Sequence, residues 1–286
     1  MLSVSDLSCK LGGRLITDHV STVFEPGLFH VIVGPNGSGK STFLKLFSGE
    51  IAPQGGAVFY DGQPIRHQDK AALARRRAVM SQLPELHFPL PVEEIVLMGR
   101  YPHFTFQPGP KDRDICREAM KLVDVDSLSD RDYLSLSGGE RQRVQFARAL
   151  AQIWEAPPGG TRYLFLDEPI SSLDMHFQHQ FLRIARSLLR KTPENRKTPE
   201  NRETPENRET REPRDNIVLI AVLHDLNLAL QYADRMLFMK AGRIAAEGVV
   251  PEVVTTDLIM DVFNMPVHIL ENPYGRAPVI VPAGPA

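Results

Sequence analysis

The sequence predicts an α/β fold in which helices cover both faces of a mainly parallel sheet. Three short apolar runs of buried-strand type carry this prediction, at 28–33, 163–166 and 217–223. Segments with helical spacing lie between or after them, notably at 41–49, 140–152 and 175–190. Buried strands that alternate with helices are typical of parallel sheets, which bind ligands at the carboxyl ends of their strands.

Composition excludes several classes of protein. The 286 residues carry 33 basic and 35 acidic side chains, so no general basic field points to a nucleic-acid partner. Two cysteines, Cys9 and Cys116, are too few for a disulfide framework and suit a reducing compartment. The start of the chain has no signal-peptide pattern, and the run at 217–223 is far shorter than the ~20 residues of a membrane helix.

A hexapeptide repeat related to KTPENR fills residues 191–214. This segment contains none of the residues A, V, I, L, M, F, W, Y or C, so it has nothing to bury that could offset the entropy of ordering it. We therefore predict a disordered surface insert at 191–214. A role as a docking tether is the less favoured alternative.

Residues 34–42 read Gly-Pro-Asn-Gly-Ser-Gly-Lys-Ser-Thr and follow the first apolar run. They fit G-x-x-x-x-G-K-[ST], a loop whose backbone N–H groups surround phosphates at the N-terminus of a helix. In this pattern the lysine reaches the β- and γ-phosphates and the next hydroxyl ligates Mg²⁺. The predicted nucleotide-binding residues are Gly34, Pro35, Asn36, Gly37, Ser38, Gly39, Lys40, Ser41 and Thr42.

Two acidic residues end the second apolar run, in the stretch Tyr-Leu-Phe-Leu-Asp167-Glu168-Pro. An apolar strand that delivers carboxylates to the phosphate end of a sheet complements the loop at 34–42. Asp167 is predicted to hold Mg²⁺ through water, and Glu168 to act as general base on the attacking water.

A second glycine-rich helix start reads Leu-Ser137-Gly138-Gly139-Glu140. We expect Ser137, Gly138 and Gly139 to present free N–H groups to an anion, which is one site more than a single nucleotide needs. Together with the two motifs above, this stretch resembles the nucleotide-binding subunits of ATP-binding-cassette (ABC) transporters.

The resemblance covers nearly the whole chain. It implies that Gln82 contacts Mg²⁺, that the loop at 171–174 crosses a dimer interface, and that His224 contacts the γ-phosphate. It also implies a P-loop NTPase core with an antiparallel β subdomain and an inserted helical subdomain. We expect one cassette over 1–250, a helical subdomain at about 84–157 and a C-terminal extension at 251–286.

The resemblance further implies how the subunit works. Lys40, Glu168 and His224 are the expected catalytic residues; ATP and Mg²⁺ are the cofactors; and Ser41, Gln82 and Asp167 are the metal-binding residues. Each nucleotide lies between the P-loop of one copy and residues Ser137–Gly139 of a second copy, in a head-to-tail dimer. A polytopic permease dimer is the membrane partner, contacted near 82–100, so the subunit lies peripherally on the cytoplasmic face of the bacterial inner membrane.

Stretches at 71–80, 88–103 and 223–229 are similar to importers of iron-siderophore complexes, cobalamin and haem. Likeness at 71–82 and at 157–160 favours haem, with a periplasmic haem-binding protein as an indirect partner. A siderophore or cobalamin importer is the alternative. We expect no residue of this chain to ligate haem, although His87, His103, His176 and His179 are available.

One departure from the family lies near residue 11, where an aromatic side chain usually stacks on adenine. This chain has Lys10 and Leu11 there, so we expect weak discrimination between ATP and GTP.

A soluble P-loop kinase or GTPase would have no use for the 136–140 motif. A cassette ATPase acting on nucleic acid would usually carry a coiled coil, two cassettes or basic segments, and a catalytically silent cassette would not need Lys40, Asp167, Glu168 and His224.

Overall fold

The computed structural model describes residues 1–81, 88–155, 160–189, 216–250, 252–273, 275 and 277–284, without the side chain of Arg14. The predicted repeat insert at 191–214 lies outside the described residues, as does Gln82. The proposed helical subdomain at 84–157 is described from residue 88 to residue 155.

Twelve strands are present in the described chain. They are β1 Leu2–Leu11, β2 Arg14–Phe24, β3 Phe29–Val33, β4 Gly55–Tyr60, β5 Gln63–Pro64, β6 Arg77–Met80, β7 Arg162–Asp167, β8 Ile217–Val222, β9 Arg235–Lys240, β10 Arg243–Val249, β11 Val267–Leu270 and β12 Val279–Pro282.

Eight α-helices connect or flank these strands within the same ranges. They are α1 Lys40–Ser48, α2 Lys70–Arg76, α3 Val92–Leu97, α4 Pro110–Leu122, α5 Gly138–Gln152, α6 Met175–Ser187, α7 Leu226–Tyr232 and α8 Thr256–Phe263. Short 3₁₀ turns occur at Ile65–His67, Met98–His103, Asp126–Leu128 and Tyr133–Ser135.

The central sheet has six strands in the order β10-β9-β3-β8-β7-β6. The five strands from β9 to β6 pair in parallel, and β10 adds an antiparallel edge. The predicted mainly parallel sheet is therefore confirmed. The three predicted strands are β3, β8 and β7, and each observed boundary lies within one residue of its prediction.

Alternate residues of the central strands face two different cores. On β3, Val31 and Val33 pack into a core with the helices of residues 88–155, whereas Ile32 packs with Phe43 and Phe47 of α1. The strands are buried on both faces, which explains why their sequences are continuous apolar runs.

A separate antiparallel sheet of four strands, in the order β2-β1-β4-β5, covers the α1 side of the central sheet. Ile16 of β2 lies near the loop that follows β3, because its carbonyl oxygen is close to Gly39 and Gly242. The antiparallel sheet, the parallel core and the helices at 92–152 together form the P-loop NTPase architecture that the resemblance implies.

The C-terminal residues pack onto the core. Ile259 and Val262 of α8 and Ile280 of β12 are buried in the larger core cluster. The β11–β12 hairpin is also tied to α7, because Asn227 Nδ2 donates to the Ile280 carbonyl at 3.1 Å and Asn227 Oδ1 accepts from the Ile280 N–H at 2.8 Å. Among the described residues, no helix is both long enough and apolar enough to span a membrane.

Candidate functional site

Three adjacent strands end where the predicted site residues lie. β8 pairs in parallel with β3 on one side and with β7 on the other, so the segments that follow all three leave the same edge of the sheet. The loop at 34–39 follows β3, Asp167 ends β7 with Glu168 directly after it, and His224 follows β8. The sheet order thus gathers residues that are far apart in sequence.

Backbone geometry explains the glycines of the loop at 34–39. Gly37 and Gly39 have φ angles of 76° and 101°, in the left-handed region that favours glycine. At Gly39 a Cβ atom would also lie 2.6 Å from the Ile16 carbonyl oxygen. The loop therefore turns tightly between β3 and α1, as phosphate-binding loops do.

Polar atoms in this loop are arranged for an anion. Lys40 is 5% exposed, and its Nζ donates to the carbonyl oxygens of Gly34 and Pro35 at 2.9 and 3.0 Å. Burial lowers the pKa of Lys40, an effect that the nearby Glu168 and Asp167 carboxylates oppose. Ser38 Oγ is buried and has no hydrogen-bond partner in the described part of the chain, so the loop contains a polar atom that a phosphate oxygen would satisfy.

Ser41 and Asp167 meet across the gap between α1 and β7. Ser41 Oγ donates to Asp167 Oδ1 at 2.9 Å. Burial raises the pKa of Asp167, the Ser41 hydrogen bond opposes that shift, and the Glu168 charge adds to it. A hydroxyl beside a carboxylate is a donor set that suits Mg²⁺, which binds few protein oxygens and completes its shell with phosphate and water.

Glu168 and His224 form a close pair. His224 Nε2 lies 2.6 Å from Glu168 Oε1, and the two side chains are 43% and 21% exposed. Glu168 has a φ of 51°, an unusual conformation for a residue other than glycine. This pairing brings two of the predicted catalytic residues together beside Asp167.

The start of α5 differs from its prediction in one respect. Ser137 caps the helix by accepting from the Glu140 N–H at 3.3 Å, and Glu140 Oε2 in return accepts from the Ser137 N–H at 2.8 Å and from its hydroxyl at 2.7 Å. The expectation that Ser137 presents a free N–H group is therefore wrong. The reason is a capping box, in which the acidic residue three positions on supplies its own anion.

The segment near residue 11 is exposed. Lys10 and Leu11 end β1, and Leu11 is 41% exposed. The hairpin that they begin leads into Ile16, which contacts the phosphate loop through Gly39. The aliphatic Leu11 side chain is therefore accessible to solvent, and both its contact with a base and the weak ATP/GTP discrimination stay predictions.

Gln142 is a residue of the site that the sequence analysis missed. It is buried on α5, it lies four residues before the buried Phe146, and its side chain reaches Glu168 and Ser172. A polar residue on the apolar stripe of a helix was the available signal, because such a residue needs a partner.

Comparison with known proteins defines the family. The family model described as "ABC transporter" matches residues 17–171, which is more than half of the chain. The hemin import ATP-binding protein HmuV of Gloeobacter violaceus is 40% identical over 286 residues, covering 100% of this chain and 95% of that protein. The chain belongs to the ABC transporter family.

Other ABC transporter proteins are similar to this chain in sequence or in fold over most of its length. The hemin import ATP-binding protein HmuV of Escherichia coli O157:H7 is 37% identical over 281 residues, with 98% of this chain and 99% of that protein covered. Among solved structures, an inward-facing metal-chelate type ABC transporter matches with a TM-score of 0.74 at 22% identity, over 99% of this chain and 97% of that one. A dimeric bacterial ABC transporter cassette matches with a TM-score of 0.67 at 24% identity, over 87% and 99%.

Proposed function

We propose that this chain is the ATP-hydrolysing subunit of an ABC importer that powers haem uptake across the bacterial inner membrane. The observation that carries the proposal is the meeting of Lys40, Asp167, Glu168 and His224 at neighbouring strand ends. Likeness over nearly full length to hemin import ATP-binding proteins supports the choice of cargo.

The residues that would hold the nucleotide are those of the loop at 34–42. Its buried Ser38 hydroxyl and the N-terminus of α1 offer donors to phosphate oxygens. Lys40 would exchange the carbonyl oxygens that it now contacts for the β- and γ-phosphates. Mg²⁺, held by Ser41 and by Asp167 through water, with Gln82 proposed as a further contact, would neutralise phosphate charge when bound.

Glu168 is the proposed general base. One carboxylate oxygen, Oε1, lies beside His224 Nε2, which leaves Oε2 to accept a proton from the attacking water. The His224 ring orients this carboxylate and is placed to stabilise negative charge that develops on the γ-phosphate. Lys40 would add a positive charge near the same carboxylates.

A second copy of the chain would complete each site. Ser137, Gly138 and Gly139 lie at the start of α5. Gly138 and Gly139 lie near Ser172 and Leu173 of their own chain, and a Cβ added at Gly139 would lie 3.4 Å from Leu173 Cδ2. In the proposed head-to-tail dimer this helix start of one copy contacts the nucleotide on the P-loop of the other. The solved dimeric cassette has the same fold.

The membrane partner is proposed to be a polytopic permease dimer that contacts the helical subdomain near residues 82–100. The subunit would then lie on the cytoplasmic face of the inner membrane, and a periplasmic haem-binding protein would be only an indirect partner. Haem need not touch this chain. His103 Nε2 is hydrogen-bonded to the Gln152 carbonyl at 2.7 Å, and His179 Nδ1 to the Tyr232 hydroxyl at 2.9 Å.

Reconstitution with the permease tests the proposal. ATP hydrolysis is measured in vesicles after addition of haem, ferric siderophore or cobalamin with the matching binding protein. We expect haem to stimulate the wild-type complex and Glu168→Gln to abolish turnover while still binding ATP. Stimulation by a siderophore or cobalamin alone would contradict the cargo, and full hydrolysis by Glu168→Gln would contradict the assigned base.

A further inference from the structure

The side-chain amide of Gln142 joins the start of α5 to the loop that follows β7. Its Nε2 donates to the Glu168 carbonyl oxygen at 3.3 Å, and its Oε1 accepts from the Ser172 N–H at 3.2 Å. The side chain is 5% exposed, so little water competes for either bond. An amide that is paired at both ends fixes the distance between the two segments.

The backbone of Glu168 depends on such support. Its φ of 51° is rarely adopted by a residue with a side chain, so the surrounding contacts must hold it. Its carbonyl oxygen accepts from Gln142 Nε2, from the Ser171 N–H at 3.4 Å and from Ser171 Oγ at 3.2 Å. Gln142 is the partner among these three that comes from a different element.

A cavity of about 180 Å³ lies at this junction. Its lining residues are Met80, Ser81, Gln142, Asp167, Glu168, Ser171 and Ser172. Gln142 therefore forms part of the wall beside both carboxylates, while its own contact with Glu168 is made through the backbone. Its influence on the carboxylate is indirect, through the direction in which the Glu168 side chain leaves the main chain.

We propose that Gln142 is a positioning residue that orients the Glu168 carboxylate. Through Gln142, the orientation of this carboxylate would depend on the position of α5. This inference rests on the proposed function. Because Ser137–Gly139 begin the same helix, contact of that helix with the partner's nucleotide would be passed through Gln142 to Glu168 of its own site. The two sites of the dimer would then be coupled through one buried amide.

A matched pair of variants tests this role in the full-length chain. Gln142→Met keeps the length of the side chain but can neither donate to Glu168 nor accept from Ser172. Gln145→Met makes the same change three residues along α5, at a side chain that is 1% exposed and donates to the Tyr133 hydroxyl. The steady-state kcat, the KM for ATP and Tm are measured for both variants.

We expect Gln142→Met to lower kcat about 10- to 100-fold, because a misoriented base loses part of the ~10²–10⁴-fold that general base catalysis contributes, with KM for ATP changed less than about twofold. Gln145→Met should keep kcat within about threefold of wild type, since it contacts no reacting group. Gln142→Glu, which retains the acceptor for the Ser172 N–H but loses the donor to Glu168, should match Gln142→Met and serves as the test if that variant does not fold.

Equal kcat values for Gln142→Met and Gln145→Met would overturn the inference, as would wild-type kcat in Gln142→Glu or a KM that rises in step with the loss of kcat. These results are distinct from failure of the proposed function. In that case the wild-type chain itself would hydrolyse no ATP, alone or with its permease.

Discussion

The two glycine-rich helix starts of this molecule are built in opposite ways. At α1 the residue before the helix is Gly39, which has no side chain to cap it, and the first turn holds no acidic residue. At α5 the preceding residue is Ser137, and Glu140 closes a capping box. Since unpaired N–H groups at a helix start attract anions, α1 leaves that position to a ligand and α5 supplies its own carboxylate.

The carboxylates near the two helices show the same contrast. Hydrogen bonds from Ser137 lower the pKa of Glu140, so its charge is favoured where it lies. Burial raises the pKa of Asp167, which faces Ser41 on α1, so its charge is penalised until a cation arrives. In the proposed site, the start of α1 has donors that are left for Mg²⁺-nucleotide, whereas Glu140 would have to move away from the start of α5 before a phosphate could bind there.

The largest expected effect comes from breaking the α1 end. Lys40→Ala removes the buried cation that contacts the Gly34 and Pro35 carbonyls. We expect ATP affinity to fall at least about 100-fold, about 2.7 kcal/mol, because a charge-assisted phosphate contact in a dry loop is lost. Equilibrium binding of a fluorescent ATP analogue measures this, with Lys70→Ala at the start of α2 as control, and an unchanged affinity would contradict the assigned role of α1.

The second prediction opens the α5 end. Glu140→Gln removes the negatively charged carboxylate that accepts hydrogen bonds from the Ser137 N–H and hydroxyl. We expect ATP-dependent dimerisation at about three- to tenfold lower protein concentration, since two helix starts per dimer lose a charge that repels phosphate. Sedimentation with MgATP measures this. Weaker dimerisation of Glu140→Gln, with an unchanged affinity of the monomer for ATP, would contradict this prediction, because the Glu140 carboxylate would then favour dimerisation.

The third prediction concerns the stability of the nucleotide-free chain. Asp167→Asn removes a carboxylate whose ionisation burial disfavours, while its Oδ1 can still accept from Ser41. We expect Tm at pH 7 to rise by about 2–4 °C, which corresponds to about 1 kcal/mol for a chain of this size, and the rise to vanish as the pH falls toward ~4. A lower Tm at pH 7, measured by calorimetry, would contradict it.

The smallest expected effect has the opposite pH dependence. The pKa of Glu140 is lowered in the folded chain, so its charge stabilises the fold above the ordinary glutamate pKa, and this contribution is lost as the pH falls through the folded value. The Tm of the wild type should therefore exceed that of Glu140→Gln by about 1–2 °C at pH 7, and the difference should shrink below about pH 4.5. Glu118→Gln, at an exposed side chain of α4, is the matched control for replacing a helix glutamate.

The sequence predicts those parts of the fold and site that follow one another along the chain. Each of β3, β7 and β8 is a continuous apolar run that ends in its motif, so strand, turn and site residues are read together. Their location at one edge of the sheet follows from the rule that ligands bind at the carboxyl ends of parallel strands, whereas the order β3-β8-β7 comes from the structure. The site residues are proposals still, but their proximity was predictable.

What the sequence did not predict depends on contacts between distant residues. Asn227 and Ile280 are 53 positions apart, and no sequence pattern around either residue predicts their hydrogen bonds. Gln142 meets Glu168 only because α5 packs beside the end of β7. The capping box at α5 is different, because Ser137 and Glu140 fit the S-x-x-E pattern and could have been recognised as one.

The central claim is that one nucleotide is shared by the α1 end of one copy and the α5 end of another. Mixing two inactive variants tests it most directly: Lys40→Ala, which disables the α1 end, and Gly138→Asp, which adds a carboxylate at the α5 end. Each heterodimer would contain one site with both ends intact, so about a quarter of wild-type hydrolysis should return on mixing if sites act independently. No recovery, in mixtures shown by sedimentation to contain heterodimers, would contradict the shared site.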